Sequence, residues 1–293
     1  MRRIIDTHLH LWDLARFSLP WLNNVPQLNR SFFWPDYLAA QPDDKNWAIE
    51  QAIYVEVDAA PRLRRQEEVL INDLCKDETN ALAGGIIALD LATDGSVERW
   101  AHSGPSAVIK GVRHVLHVAD SPRGACLQPA FIDNVRALGA GGWLFEGCVR
   151  CEELSDLVLL ARACPETPLV LNHMGNVDAD IIAGTPLAAR QRHYQTQWLN
   201  DIEQLAACNN ICCKVSGVNI ANPEHVENMF PVLRHCLEAF GADKVMFGSN
   251  YPVCNLNIGI GAWVNTLIDF SASRSASFRD NLFFNNAKRI YQL

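Results

Sequence analysis

The sequence predicts an α/β fold: a single (β/α)8 barrel of the TIM type, elaborated by long loops at its mouth and covering residues 1–293 as one domain. Three observations lead there. Eight short apolar runs are spaced along the chain, segments of helical periodicity lie between them, and the first run opens into a histidine-rich turn. A doubly wound sheet would open instead into a glycine-rich phosphate loop.

The strand candidates, in order, are 4–9 (IIDTHL), 51–56 (QAIYVE), 82–89 (LAGGIIAL), 107–112 (AVIKGV), 143–148 (WLFEGC), 168–173 (PLVLNH), 211–216 (ICCKVS) and 244–249 (KVMFGS). Helical periodicity marks 62–79, 129–139, 152–164, 198–208, 224–239 and 278–290. Pro129 and Pro223 stand where proline favours a first turn, and Gly241 stands where a helix closes. Two connections are long. Residues 13–48 carry Trp21, Trp34, Trp47, Phe32, Phe33 and Tyr37, and residues 174–197 carry Asp178, Asp180, Arg190, Arg192, His193 and Tyr194. Loops of this length commonly cover a pocket.

Composition narrows the function classes. The 293 residues are 49% apolar and 20% charged, with net charge −8, so neither disorder nor a nucleic-acid surface is indicated. No apolar run is long enough to span a bilayer, and the first residues lack the apolar stretch of a secretory signal. The expected location is the cytoplasm and the expected partner a small-molecule substrate. No nucleic-acid or membrane partner is expected, and a homo-oligomer is left open. Ten cysteines are scattered. Cys148 and Cys151 have bare redox spacing in CVRC, but no second pair completes a zinc site, so buried free thiols are the simpler expectation.

Candidate chemistry gathers at strand ends. Alternation along the first strand puts Asp6, His8 and His10 on one face. His173 ends the sixth strand candidate, on the side of Leu171, with Asn172 opposite. Three imidazoles plus water make a workable zinc set, so His8, His10 and His173 are the metal-ligand candidates. Met246, Gly248 and Asn250 share a face of the last strand, which directs Asn250 toward the histidines. An amide orients water but takes no proton near neutral pH. Glu56 and Glu146 are alternative bases. Lys110, Lys214, Arg113 and His114 offer charge or hydrogen bonds to a substrate carboxylate or oxyanion, and Trp12 and Tyr251 offer apolar walls.

Together DTHLHLWD at 6–13, KGVRH at 110–114, LQPAF at 127–131, LVLNHMG at 169–175, KVSG at 214–217 and MFGSNYPV at 246–253 resemble the amidohydrolase superfamily. The resemblance is to its amidohydrolase-2 branch of sugar-lactonase-like barrel hydrolases and runs nearly end to end. It implies that His8 and His10 form the first-strand pair and His173 the later histidine. One divalent metal, zinc foremost, is implied, with metal-independent lactone hydrolysis also known in the branch. Most such sequences read GSDWP where this chain reads GSNYP, so the proton-carrying aspartate is replaced by Asn250. The usual DH is NH here, through Asn172, whose side chain is expected to face outward.

The first functional expectation is hydrolysis of the ring ester of a small hydroxylated or carboxylated lactone. His8, His10, His173, Asn250 and Glu56 would be its catalytic residues, and Trp12, Lys110, Arg113, His114 and Tyr251 its substrate contacts. Metal-dependent nonoxidative decarboxylation of a small cyclic acid is the alternative. A binding barrel that has lost turnover is the third.

Overall fold

The computed structural model describes residues 1–293. Eight strands form one sheet in sequence order: β1 (Arg2–Leu9), β2 (Trp47–Val55), β3 (Leu82–Ala88), β4 (Ile109–Val115), β5 (Leu144–Cys148), β6 (Leu169–Leu171), β7 (Ile211–Val215) and β8 (Val245–Phe247). The registered pairs run parallel, and Leu9 of β1 bridges Tyr251 beyond β8 in the same sense. With helices between successive strands, this is the (β/α)8 barrel that the sequence predicts. Strands covered on both faces need near-continuous apolar runs. Ile4 and Ile5, Ile53, Tyr54 and Val55, and Leu169, Val170 and Leu171 are accordingly buried.

The helices are α1 (Trp34–Ala39), α2 (Arg64–Lys76), α3 (Ser96–His102), α4 (Pro129–Ala140), α5 (Leu154–Ala163), α6 (Ala179–Ala183), α7 (Ala189–Ala207), α8 (Met229–Phe240), α9 (Gly259–Phe270), α10 (Ala276–Asp280) and α11 (Asn286–Ile290). On α8, Met229, Val232, Leu233, Cys236, Leu237 and Phe240 repeat at helical spacing and are all buried, a single stripe against the sheet. Pro129 is the first residue of α4, as expected, and Gly241 closes α8 with φ 68°. None of the helices is long and apolar enough to cross a membrane.

Some expectations change. Pro223 opens a 3-10 turn over Pro223–Asn228, because His225 leaves helical dihedrals, and α8 starts only after it. The C-terminal segment is α10 and α11 joined by a π-helical stretch, Asn281–Asn285, rather than one helix. The two long connections are partly ordered into helices: α1 lies within 13–48, and α6 with the start of α7 within 174–197.

The chain packs as two compact units. The first comprises Met1–Ala88, Ser106–Lys110 and Met246–Leu293, and the second Leu89–Pro105 and Gly111–Val245. In the first, the 13–48 connection is tied to the segment just after β1 by antiparallel bonds between Trp12 and Phe32. In the second, Asn134 of α4 accepts from Val97 N and donates to the carbonyls of Leu91 and Thr93, fixing the start of α3.

Candidate active site

In the first unit the sequence DTHLH builds its own support. Asp6 is fully buried, and its carboxylate accepts from Ser249 N at 2.8 Å, Tyr37 OH at 2.7 Å and His8 N at 3.1 Å. Burial pushes the Asp6 carboxyl above its ordinary 3.8, against the pull of Ser249, Tyr37 and His8. Burial, with Asp6 beside it, lifts the Tyr37 phenol well above its usual range. The His8 carbonyl accepts from Asn250 N at 2.8 Å, and His10 N donates to Tyr251 O at 2.8 Å. DTHLH and GSNYP are thus one hydrogen-bonded construction with Asp6 at its base. Asp6 had no assigned role in the sequence; its signal was a charged residue inside an apolar strand.

A carboxyl with a raised value favours the folded state most in acid, and loses that contribution as pH climbs through the raised value. The unfolding free energy of wild type minus that of Asp6→Asn is therefore expected to decline as pH rises above about 4. Chemical denaturation between pH 4 and 7 measures it, and a flat difference would contradict the raised carboxyl.

His8 and His10 lie edge to face, ring centroids 4.9 Å apart. His10 Nδ1 is 2.8 Å from the Val55 carbonyl oxygen. A carbonyl only accepts, so Nδ1 carries the proton and Nε2 of the neutral ring carries the lone pair. Glu56 is buried just beyond β2, and its Oε2 accepts from Asp58 N at 2.7 Å, which shapes the following turn. Asn250 is not part of a strand. β8 ends at Phe247, and Asn250 adopts φ 61°, so strand alternation does not set its side chain. Asn and Asp are the non-glycine residues that tolerate this conformation best.

Trp12 and Tyr251 are buried. Trp12 donates its indole N–H to Arg30 O and meets Trp21 and Phe32 edge-on. Tyr251 packs on Phe32 and Tyr37, and burial raises its phenol to about 12. Both belong to the aromatic wall of the 13–48 connection. Lys110 does not join the expected substrate contacts. It is the second residue of β4, at the amino end of the strand, and its Nζ donates to Gln292 O at 3.3 Å.

In the second unit, Cβ geometry sorts the faces. A side chain at Gly147 would meet Leu157 of α5, so Gly147 points to the helices, and Glu146 and Cys148 point the other way. On β4, Arg113 pairs with Glu146 and His114 with Gly147. His114 is therefore on the helix side, its ring against Phe131 and its Nδ1 accepting from Leu91 N at 3.2 Å. The strand thus places His114 away from the inner face on which Arg113 lies. Arg113 is buried on the inner face.

Glu146 and Lys214 have no exposed surface and form a bidentate pair, both N–O distances 2.7 Å. Each is a counter-charge for the other. Asn172 donates to Glu146 Oε2 at 2.9 Å. Its side chain is inward and buried, not outward, because β6 stops at Leu171 and the chain turns, with His173 and Met174 at φ 55° and 51°. The same turn brings the His173 ring to Ser216, Nδ1 to Oγ 2.8 Å, both residues buried. Gly217 backs the ring: a Cβ there would lie 2.5 Å from it.

Further along β5, Cys148 Sγ lies 3.2 Å from His117 Nδ1 and 3.7 Å from the Asn176 amide nitrogen. Burial pushes its thiol up, but His117, followed by Arg113 and Asn176, brings it below its ordinary value. Burial raises Cys126 and Cys151, each to about 12. All ten cysteines are free thiols.

The metal expectation meets a different geometry. No three His, Cys, Asp or Glu side chains assemble as a group able to hold a metal ion. Nδ1 of His173 meets Ser216 Oγ and Nδ1 of His10 meets Val55 O, contacts at one ring nitrogen that are compatible with metal ligation through the other.

Comparison with known proteins gives consistent relatives. The chain is 26% identical to L-fucono-1,5-lactonase of Burkholderia multivorans, over 99% of this chain and 96% of that protein. An amidohydrolase structure from Burkholderia multivorans with bound zinc is similar at 26% identity and TM-score 0.80, with 99% of both chains covered. Amidohydrolase 2 from Bifidobacterium longum subsp. infantis is similar at 27% identity and TM-score 0.75, with both chains fully covered. The amidohydrolase family pattern matches residues 5–293, all but the first four of the barrel built here, and the chain belongs to that family.

Proposed function

We propose that the chain hydrolyses the ring ester of a small lactone bearing hydroxyl or carboxylate groups. The observation that carries the reading is the fixed tautomer of His10. The Val55 carbonyl holds the proton on Nδ1, so Nε2 is a base at the carboxyl end of β1. Ring-ester hydrolysis needs a water that loses a proton, and Asn250 cannot take it. His10 supplies that basicity, while Asn250 and Glu56 orient the water. His8 braces the His10 ring, and His173, held by Ser216, returns a proton to the ring oxygen as it leaves. Arg113 offers a charge that suits a substrate carboxylate. The lactonase among the relatives supports the ester as the bond broken.

L-fucono-1,5-lactone, named for that relative, is the first substrate to test. His10→Ala and His173→Ala are each expected to slow ring opening by about 100-fold or more, the usual contribution of a positioned acid or base. Asn250→Asp is expected to retain activity, because a carboxylate there adds a second base. Ring opening is followed by the acid released. Unchanged turnover in His10→Ala would overturn the assignment, and carbon dioxide released from cyclic acids with no lactone consumed would overturn the reaction.

A further inference from the structure

We propose that a cavity of the first unit, between the 13–48 connection and α2, is a second binding site, and that it takes a free α-amino acid with an aromatic side chain. The proposal stands apart from the ring-ester reading: no histidine, nor Asn250, lines this cavity.

The cavity measures about 380 Å³, enough for one small molecule. Helix α2 packs on the outer side of β3, where a Cβ on Gly85 would meet Ile71. Leu70 and Leu74 of that helix form one wall, and Trp12, Phe32 and Trp34 form the other. Phe33 also lines the cavity and is 48% exposed, one of the few large apolar side chains left in water. An aromatic ring bound here would cover Phe33 and meet other rings at favourable edge or offset contacts.

The polar groups of the lining decide the chemical class. Asp13, Arg16 and Asp77 all border the cavity. Asp13 commits only Oδ1, which accepts from Ala15 N at 2.9 Å and Ser31 Oγ at 3.4 Å. Asp77 also commits only Oδ1, to Thr79 N at 2.9 Å and Thr79 Oγ1 at 2.7 Å. Those bonds from Thr79 hold the Asp77 carboxyl below its ordinary value, so it is an anion at neutral pH. Arg16 has no ion pair, and its guanidinium lies 5.7 Å from the centre of the Phe17 ring. Trp34 is buried, yet its indole N–H has no acceptor in the protein. The indoles of Trp12, Trp21, Trp47 and Trp263 in the same unit each have one. An ammonium answers the two uncommitted carboxylate oxygens, and a carboxylate answers Arg16 and the Trp34 N–H. An α-amino acid carries both groups on one carbon. An amine alone would leave Arg16 unused, and an acid alone would face two carboxylates.

Ligand-observed NMR titration of the full chain with L-phenylalanine tests the site without any lactone. Two probes divide its charges: 3-phenylpropionate lacks the amine, and 2-phenylethylamine lacks the carboxylate. L-Phenylalanine is expected to bind about 5-fold or more tightly than either, the upper end for one exposed ion pair. Arg16→Ala is expected to bring L-phenylalanine down to the level of 2-phenylethylamine and to leave the amine's own affinity as it was. Asp77→Asn keeps an oxygen for Thr79 and is expected to weaken both amine-bearing probes by about 3- to 5-fold. Arg16, Phe33 and Asp77 are exposed, so their variants keep the fold. Phe33→Ala is expected to weaken all three probes. His10→Ala is expected to bind L-phenylalanine as wild type does, which separates this site from the strand-end histidines. No binding at about 10 mM L-phenylalanine, equal affinity for the three probes, or loss of binding in His10→Ala overturns the proposal. D-Glucose binding as tightly as L-phenylalanine overturns it too, since a neutral ligand uses neither charge. If L-phenylalanine binds with Arg16 dependence while no lactone is opened, the ring-ester reading fails and this site stands.

Discussion

Lys214→Met is expected to destabilise the protein by about 3–5 kcal/mol, the largest effect of any single substitution considered. Lys214 and Glu146 are fully buried, and their two 2.7 Å contacts are between formal charges. Taking both charges out of water is expensive, and their mutual attraction offsets the cost only while both are present. Methionine keeps most of the volume and removes the ammonium. Glu146 then loses the 2.7 Å contacts to the Lys214 ammonium and keeps the hydrogen bond from Asn172. The double variant Lys214→Met, Glu146→Leu removes both charges and is expected to recover most of the loss. Urea unfolding of the three proteins measures the cycle. A single variant within about 1 kcal/mol of wild type would show that the pair carries little of the stability.

Gly217→Ala is the second large effect, and it acts on the site. At φ 65° the backbone suits glycine, and an added methyl would sit 2.5 Å from the Cγ and Nδ1 atoms of His173. Backbone strain alone costs roughly 1–2 kcal/mol. The ring must also leave Ser216, and a displacement near 1 Å in a catalytic group costs about 100-fold in rate. Gly142→Ala separates the two contributions. Its φ is 79°, with nothing within 4 Å of the added carbon. It is expected to lose comparable stability and keep full ring-opening activity. Equal activity losses in both variants would mean that strain, not the imidazole, is responsible.

The barrel was legible because its strands are covered on both sides. A run such as IIDTHL or PLVLNH has no amphipathic alternation to misread, only a beginning and an end. Where the ends fell mattered more. The sixth apolar run continues to His173 in the sequence, but the strand stops at Leu171, and two residues with positive φ turn the side chains away from strand alternation. Asn172 therefore emerged buried against Glu146 when alternation had placed it outside. Helix α9 was hidden by its opening glycines. Gly261 is there because Pro42 approaches too closely for a side chain. His8, His10 and His173 stood out as residue types at strand ends, whereas Asp6 and the Cys148–His117 pair depend on partners distant in sequence. Lys110 and His114 were drawn in by their motif, yet one lies at the wrong end of the strand and the other on its wrong face.

Tyr37 reaches Asp6 from α1, inside the long aromatic connection, and that same carboxylate holds Ser249 beyond β8. Lifting the 13–48 segment would strip a hydrogen bond from a carboxylate that has no water to replace it. The segment is therefore a fixed wall, built with the strand ends it covers, and not a door. On this side of the site, selectivity then belongs to the shape of a standing wall rather than to a closing motion of this segment.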